Sequence, residues 1–163
     1  MTIDETTIVF FDSSCLIAAA GSPTGGSSLL LAICARGFLK GAVSQPVLAE
    51  AEGNILSNLP PAGLTRYHRE ILSIPLLSAP VPNPTDRETV TPITGEKDAH
   101  VLAAALSIGA QFLLTLDRPL TSRIAEAPEL SIHALSPGEF ITTKLPRHPA
   151  YSAIRSERIS SSA

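Results

Sequence analysis

Tryptophan is absent from this 163-residue chain, and only five Phe and two Tyr make up its aromatic content. A core must therefore come from Leu, Ile, Val and Ala, which suits helices packed on a sheet. The 44% apolar fraction and positive mean hydropathy supply enough of them for one folded domain. Two cysteines exclude a disulfide framework. Cys15 and Cys34 both fall in apolar helical patterns and read as packing residues rather than as catalytic thiols. Long apolar runs are also lacking: residues 29–35 give seven, against the roughly 18 needed to span a bilayer. Ser107, Gly109 and Gln111 interrupt the stretch 101–116. No basic region precedes an apolar stretch at the start, so no signal peptide is expected, and the cytosol is the expected compartment. Positive charge is not in excess, since 12 Lys and Arg face 15 Asp and Glu for a net −3. A broadly phosphate-coating surface is excluded, and any basic contact must be local. Local clusters exist at 144–158 and at Arg66, His68 and Arg69; each reads first as solvated surface.

What is present is an alternation of strand and helix signals. TIVFF at 7–11 is apolar without alternation, as in a strand buried on both faces, and it stops at Asp12. A helix over 15–20 follows, then a Gly- and Ser-rich break at 21–26, and a second helix through Leu29, Leu30, Ile33 and Cys34 that Gly37 stops. Residues 41–44 suit a strand. Pro46 then opens a helix whose apolar face is Val47, Ala51 and Ile55, with Glu50 and Asn54 one turn apart on a neighbouring face. Another helix is expected over 63–72. Residues 76–79 suit a third strand, and PVPNP at 80–84 must be extended or turning. The whole of 75–94 reads as a connection within one domain. The spacing of Ala99, Leu102, Ala103 and Leu106 predicts a helix over 98–108, apolar on most sides and hence buried. Strands at 112–115 and 130–135 flank a short helix at 120–125, and a turn leads into 137–141. This pattern predicts an α/β fold, a three-layer α/β/α sandwich around a parallel sheet of about five strands. Residues 1–145 are expected to form the domain. Residues 146–163 read as a polar, basic tail, partly disordered and fraying over the Ser-rich 156–163.

In such a sheet, ligands bind beyond the carboxyl ends of the strands. Asp12 closes the first strand and Asp117 follows the fourth. Asp98 opens the buried helix, and Glu50 lies in the early turns of the helix after the second strand, where neighbouring Glu52 could be offered in its place. Taken singly, each acid suits a helix cap or a solvated position. Taken together, four carboxylates at one sheet end raise each other's pKa, a conflict that a bound divalent cation removes. Oxygen-only ligands favour Mg²⁺ or Mn²⁺, which ligate substrate phosphates and activate water, so phosphodiester hydrolysis is the chemistry implied.

The same residues carry a family resemblance. VFFDSSCLIAA at 9–19 resembles the opening of a PIN domain, and VSQPVLAE at 43–50 is similar to that family's second acidic motif. EKDAHVLAAAL at 96–106, continuing through GAQFLLTLDR at 109–118, resembles the helix–strand unit that holds the last two acids; PGEFI at 137–141 matches the usual ending. The match spans about residues 7–142, and the order and intervals resemble the toxin-like PIN proteins of toxin–antitoxin modules. The resemblance implies a Mg²⁺- or Mn²⁺-dependent endoribonuclease whose catalytic and metal-binding residues are Asp12, Glu50, Asp98 and Asp117. Ser14 and Thr115 match polar positions that orient carboxylates or water. Asn54 and His100 are weaker candidates, as are Arg118, Lys97, Arg147 and His148 for holding flanking phosphates. The resemblance further implies an RNA substrate, a small antitoxin protein as partner, and a homodimer.

Two other Asp-based chemistries fit poorly. A dehalogenase-type phosphatase needs a second Asp two residues after the first, where this chain has Ser14. A receiver domain needs an acidic pair near the first strand and an Asp ending the third. A PIN scaffold that binds RNA or protein without cutting remains the alternative to a nuclease.

Overall fold

The structure, a computed structural model of the chain, describes residues 2–161. Five strands form one sheet: β1 (Ile8–Phe11), β2 (Lys40–Ser44), β3 (Leu77–Ala79), β4 (Phe112–Leu114) and β5 (His133–Leu135). All four pairings are parallel, in the order β3-β2-β1-β4-β5. The central position of β1, with β2 on one side and β4 on the other, explains its uninterrupted apolar run. Val9, Phe10 and Phe11 are fully buried, as are all three residues of β4. The edge strands β3 and β5 are only partly covered.

Parallel neighbours need crossovers, and helices supply them. They are α1 (Ser13–Gly21), α2 (Gly26–Ala35), α3 (Gln45–Asn58), α4 (Pro61–Arg66), α5 (Pro84–Thr94), α6 (Ala99–Ser107), α7 (Arg118–Ala125), the single turn α8 (Pro137–Glu139) and α9 (Tyr151–Ser161). The sheet is therefore flanked by helices, as the pattern predicts. Gly37 and Gly109 adopt φ of 84° and 72°, the left-handed conformation that lets the chain turn back after α2 and α6. Gly41 in β2 serves a close approach: a Cβ there would stand 3.1 Å from Cys34 Sγ and 3.2 Å from Phe11 Cε2. Among the described residues no single helix is long and apolar enough to cross a membrane. Only α1 and α2 together have the length and composition, and the chain bends by 100° between them.

Several elements differ from the expectation. The segment 75–94 is not a plain connection, because its second half is α5. Asn83 Oδ1 accepts from the Asp86 N–H at 2.8 Å and Pro84 occupies the first turn, so proline starts this helix rather than preventing it. Pro92 forgoes one backbone hydrogen bond inside α5, and the helix ends soon after at Gly95, φ 83°. Packing of α5 on α6 and α7 holds it in place. The helix expected over 63–72 is α4 continued by a π-helical turn, Tyr67–Ile71. The turn at 137–141 is α8 continued by another, Phe140–Lys144. The fifth strand covers only the last half of 130–135.

The expected tail also has structure. His148 is buried; its Nδ1 accepts from the Ala150 N–H at 3.0 Å, so its proton sits on Nε2, 2.7 Å from the Phe38 carbonyl it donates to. Ile154 on α9 is buried as well. Residues 148–154 thus pack on the domain. The fraying expected over 156–163 falls partly on 162 and 163, outside the described residues.

Candidate active site

Register places the first two acidic elements. Phe11 pairs with Leu114, and the Asp12 N–H extends the ladder to the Leu114 carbonyl at 3.0 Å, so Asp12 and Thr115 leave the sheet side by side. Asp12 is buried, and three donors fix its carboxylate. Oδ1 accepts from the Ser13 N–H at 2.8 Å, while Oδ2 accepts from Thr115 Oγ1 at 2.8 Å and from Ser14 Oγ at 3.2 Å. Burial pushes the Asp12 carboxyl above its ordinary pKa; these hydrogen bonds pull it back, and the charge of Glu50 adds to the rise.

Thr115 and Ser14 also build the loop that carries Asp117. Thr115 Oγ1 accepts from the Asp117 N–H at 3.1 Å, and Ser14 Oγ accepts from the Leu116 N–H at 3.0 Å. Both residues therefore touch an acid or its backbone. Asp117 is the N-cap of α7, with Oδ1 accepting from the Leu120 N–H at 3.1 Å. The helix-cap reading thus holds for Asp117, though its second oxygen is left for other work. It fails for Asp98. That residue is the N-cap of α6, yet its side chain makes no cap hydrogen bond.

Asp98 instead faces the other acids. Burial raises its pKa first, followed by the charges of Asp117 and Asp12 and, more weakly, of Glu50; Lys97 acts in the opposite direction. One carboxyl thus senses the other three. Glu50 reaches the group from α3, where Ser13 Oγ donates to its Oε1 at 3.0 Å and His100 Nε2 lies 3.7 Å from its Oε2. Its neighbour Glu52 turns away to His68, at 3.0 Å, so Glu50 is the one of the two that lies with the other acids.

Ser13 and His100 are the residues that sequence reasoning undervalued. Ser13 was legible as the first hydroxyl of the DSS triplet. His100 lies two positions past Asp98 and faces Glu50 across the gap between α6 and α3. Its buried Nδ1 has no hydrogen-bond partner. Other candidates fall outside. Asn54 Oδ1 is exposed and accepts from the Asn58 side chain at 3.2 Å, and His148 is fastened to Phe38. Arg66 is bound to the Ala19 carbonyl at 3.0 Å and paired with Glu70 at 2.6 Å, holding α4 to α1. Burial lifts the thiols of Cys15 and Cys34 to about 12, so both are protonated packing residues.

Among the described residues, no three His, Cys, Asp or Glu side chains stand close enough to hold one ion as they are oriented. The donor set nonetheless fits a hard divalent cation. It consists of carboxylate oxygens with hydroxyls behind them and no ionised thiol, and two of the carboxyls are raised, first by burial and then by the charge of the others.

The PIN domain family model matches residues 8–119, which include all four acids. The chain belongs to the PIN domain family. PIN domains are typically nucleases that use divalent metals. A search of curated proteins finds no match. Among solved structures, the crystal structure of PAE2754 from Pyrobaculum aerophilum is similar in fold, with a TM-score of 0.59 and 20% identity. The alignment covers 83% of this chain and 93% of that one.

Proposed function

We propose that this PIN domain is a Mg²⁺- or Mn²⁺-dependent endoribonuclease with Asp12, Glu50, Asp98 and Asp117 as its catalytic, metal-binding residues. The observation that carries this reading is the convergence of four acids, from β1, α3, α6 and the β4–α7 loop, on one sheet end, with Asp98 sensing the other three. A bound cation would polarise the scissile phosphate and activate water there. The protein's own contribution is orientation. Ser13 N–H, Ser14 and Thr115 fix the Asp12 carboxylate, Ser13 Oγ and His100 flank Glu50, and Asp98, with no cap bond, is left to the site. Glu50 is about half-exposed (47%), so its side chain has room to close on an ion.

The finer assignment to the toxin of a toxin–antitoxin module rests on the resemblance of the acidic motifs, in order and spacing, to toxin-like PIN proteins. With it come a small antitoxin protein, a homodimer and a cytoplasmic location. A short reading frame beside this gene, whose product co-purifies with the chain and blocks cleavage, is its expected signature.

The test of activity is cleavage of RNA in Mn²⁺ by wild type, Asp12→Asn and Asp98→Asn. Cleavage by wild type alone is expected. Equal cleavage by all three overturns the four-carboxylate assignment, and no cleavage by any favours the non-cutting scaffold.

A further inference from the structure

Beside the acids lies a cleft of about 800 Å³ between α7 and α8, lined among others by Thr115, Leu116, Arg118, Ser136 and Glu139. The size is that of a small-ligand site, large enough for a nucleotide. Thr115 belongs to both places: its hydroxyl holds Asp12 and the Asp117 N–H, and its other side is cleft wall. Whatever occupies the cleft is therefore in contact with the loop that carries an acid of the reaction centre.

Three features describe the occupant. Arg118 is exposed, and among the described residues no acidic side chain pairs with it, although Asp117 is its chain neighbour. An unpaired guanidinium beside a carboxylate cluster suits a phosphate, which it binds through two parallel N–H donors. Leu116 is 49% exposed, an apolar platform in a wall otherwise rich in hydroxyls. Its N–H is fixed by Ser14 Oγ at 3.0 Å, so the platform does not swing freely. Glu139 adds a negative charge. It opposes a second phosphate in the cleft and suits the amino group of a base edge. His148, another basic candidate for phosphate contact, is buried and bonded to Phe38 and takes no part.

We propose that this cleft seats one nucleotide of single-stranded RNA next to the scissile phosphate, with its own phosphate on Arg118 and its base against Leu116. The proposal rests on the ribonuclease reading of the adjacent acids, but binding and cleavage are separable. The probe is a fluorescein-labelled RNA decamer titrated with Asp98→Asn protein in Mg²⁺ at several salt concentrations. Adding Arg118→Ala is expected to weaken binding about tenfold and to reduce the slope of log affinity against log salt by about 0.7, the loss of one single-strand phosphate contact. Adding Leu116→Ser is expected to weaken binding about fivefold with no change in slope, as loss of a base contact does. Arg69→Ala, which removes the same charge outside the cleft, is expected to leave the slope unchanged. An affinity and slope unaltered by Arg118→Ala overturn the proposal, as does a failure of the decamer to bind. Binding that follows this pattern in a protein that cuts no RNA supports the cleft and overturns only the catalytic reading.

Discussion

Thr115 Oγ1 lies 2.8 Å from Asp12 Oδ2 and accepts the Asp117 N–H at 3.1 Å, so its one proton is committed to Asp12. A single hydroxyl thus fixes one acid of the site directly and a second through its backbone. Replacing it with Val keeps the shape and removes both bonds. Thr115→Val is expected to fold, to lose about 1–2 kcal/mol of stability, and to lose about 10- to 100-fold in RNA cleavage. Thermal unfolding and initial rates in Mn²⁺ check the two parts, and an unchanged rate contradicts the role given to Thr115.

Glu50 is flanked by Ser13 Oγ on one oxygen and by His100 Nε2 near the other. Ser13→Ala with His100→Leu is expected to weaken Mn²⁺ binding about tenfold by freeing that side chain, measured by titration calorimetry. His100→Leu alone is expected to leave the Tm unchanged or slightly raised, since it removes a buried ring nitrogen that has no partner. A large fall in Tm would show that His100 serves the fold.

Asp12 and Asp98 both have carboxyls raised above the unfolded value of 3.8, burial being the first cause in each. A group whose pKa is raised by folding binds its proton more tightly in the native state, so stability falls as pH rises through the folded pKa. The contribution is present in full below 3.8 and is lost as the pH rises from there through the raised folded pKa. Asp98→Asn removes it. With EDTA present, the Tm of Asp98→Asn is expected to exceed that of wild type by a margin that widens between about pH 4 and pH 7. Added Mn²⁺ is expected to raise the wild type and not the variant. A margin constant with pH would contradict the electrostatic picture.

His148 joins the C-terminal segment to Phe38, just before β2, through the hydrogen bond its Nε2–H donates, while its Nδ1 accepts from the Ala150 N–H of its own segment. His148→Ala is expected to cost about 2–3 kcal/mol and to lower the Tm by about 5–10 °C. RNA cleavage well below that temperature is expected to persist, because the contact is remote from the acids.

Much of this was legible in the chain. The apolar runs of β1 and β4 announced central strands because both faces are covered, and Asp12 and Asp117 followed from their ends. The helix opened by Asp98 was legible from its spacing. What was not legible were choices made by tertiary contact. Asn83 and Pro84 start α5 inside a segment whose prolines pointed to extended chain, and packing on α6 and α7 decides the matter. Whether Asp98 caps its helix or faces the site cannot be read from sequence, since a capping residue and a ligand look alike there. The same holds for Glu50 against Glu52, two positions apart on α3, which is resolved only when Ser13 and His68 are seen to take one each.

The central claim is that these four carboxylates form a site for a divalent cation. The direct measurement is anomalous scattering from a crystal grown with Mn²⁺. The expected result is a peak within about 2.0–2.3 Å of oxygens from Asp12 and at least one of Glu50, Asp98 and Asp117. A map with no peak among these four acids, or with Mn²⁺ held by other residues, would contradict the account.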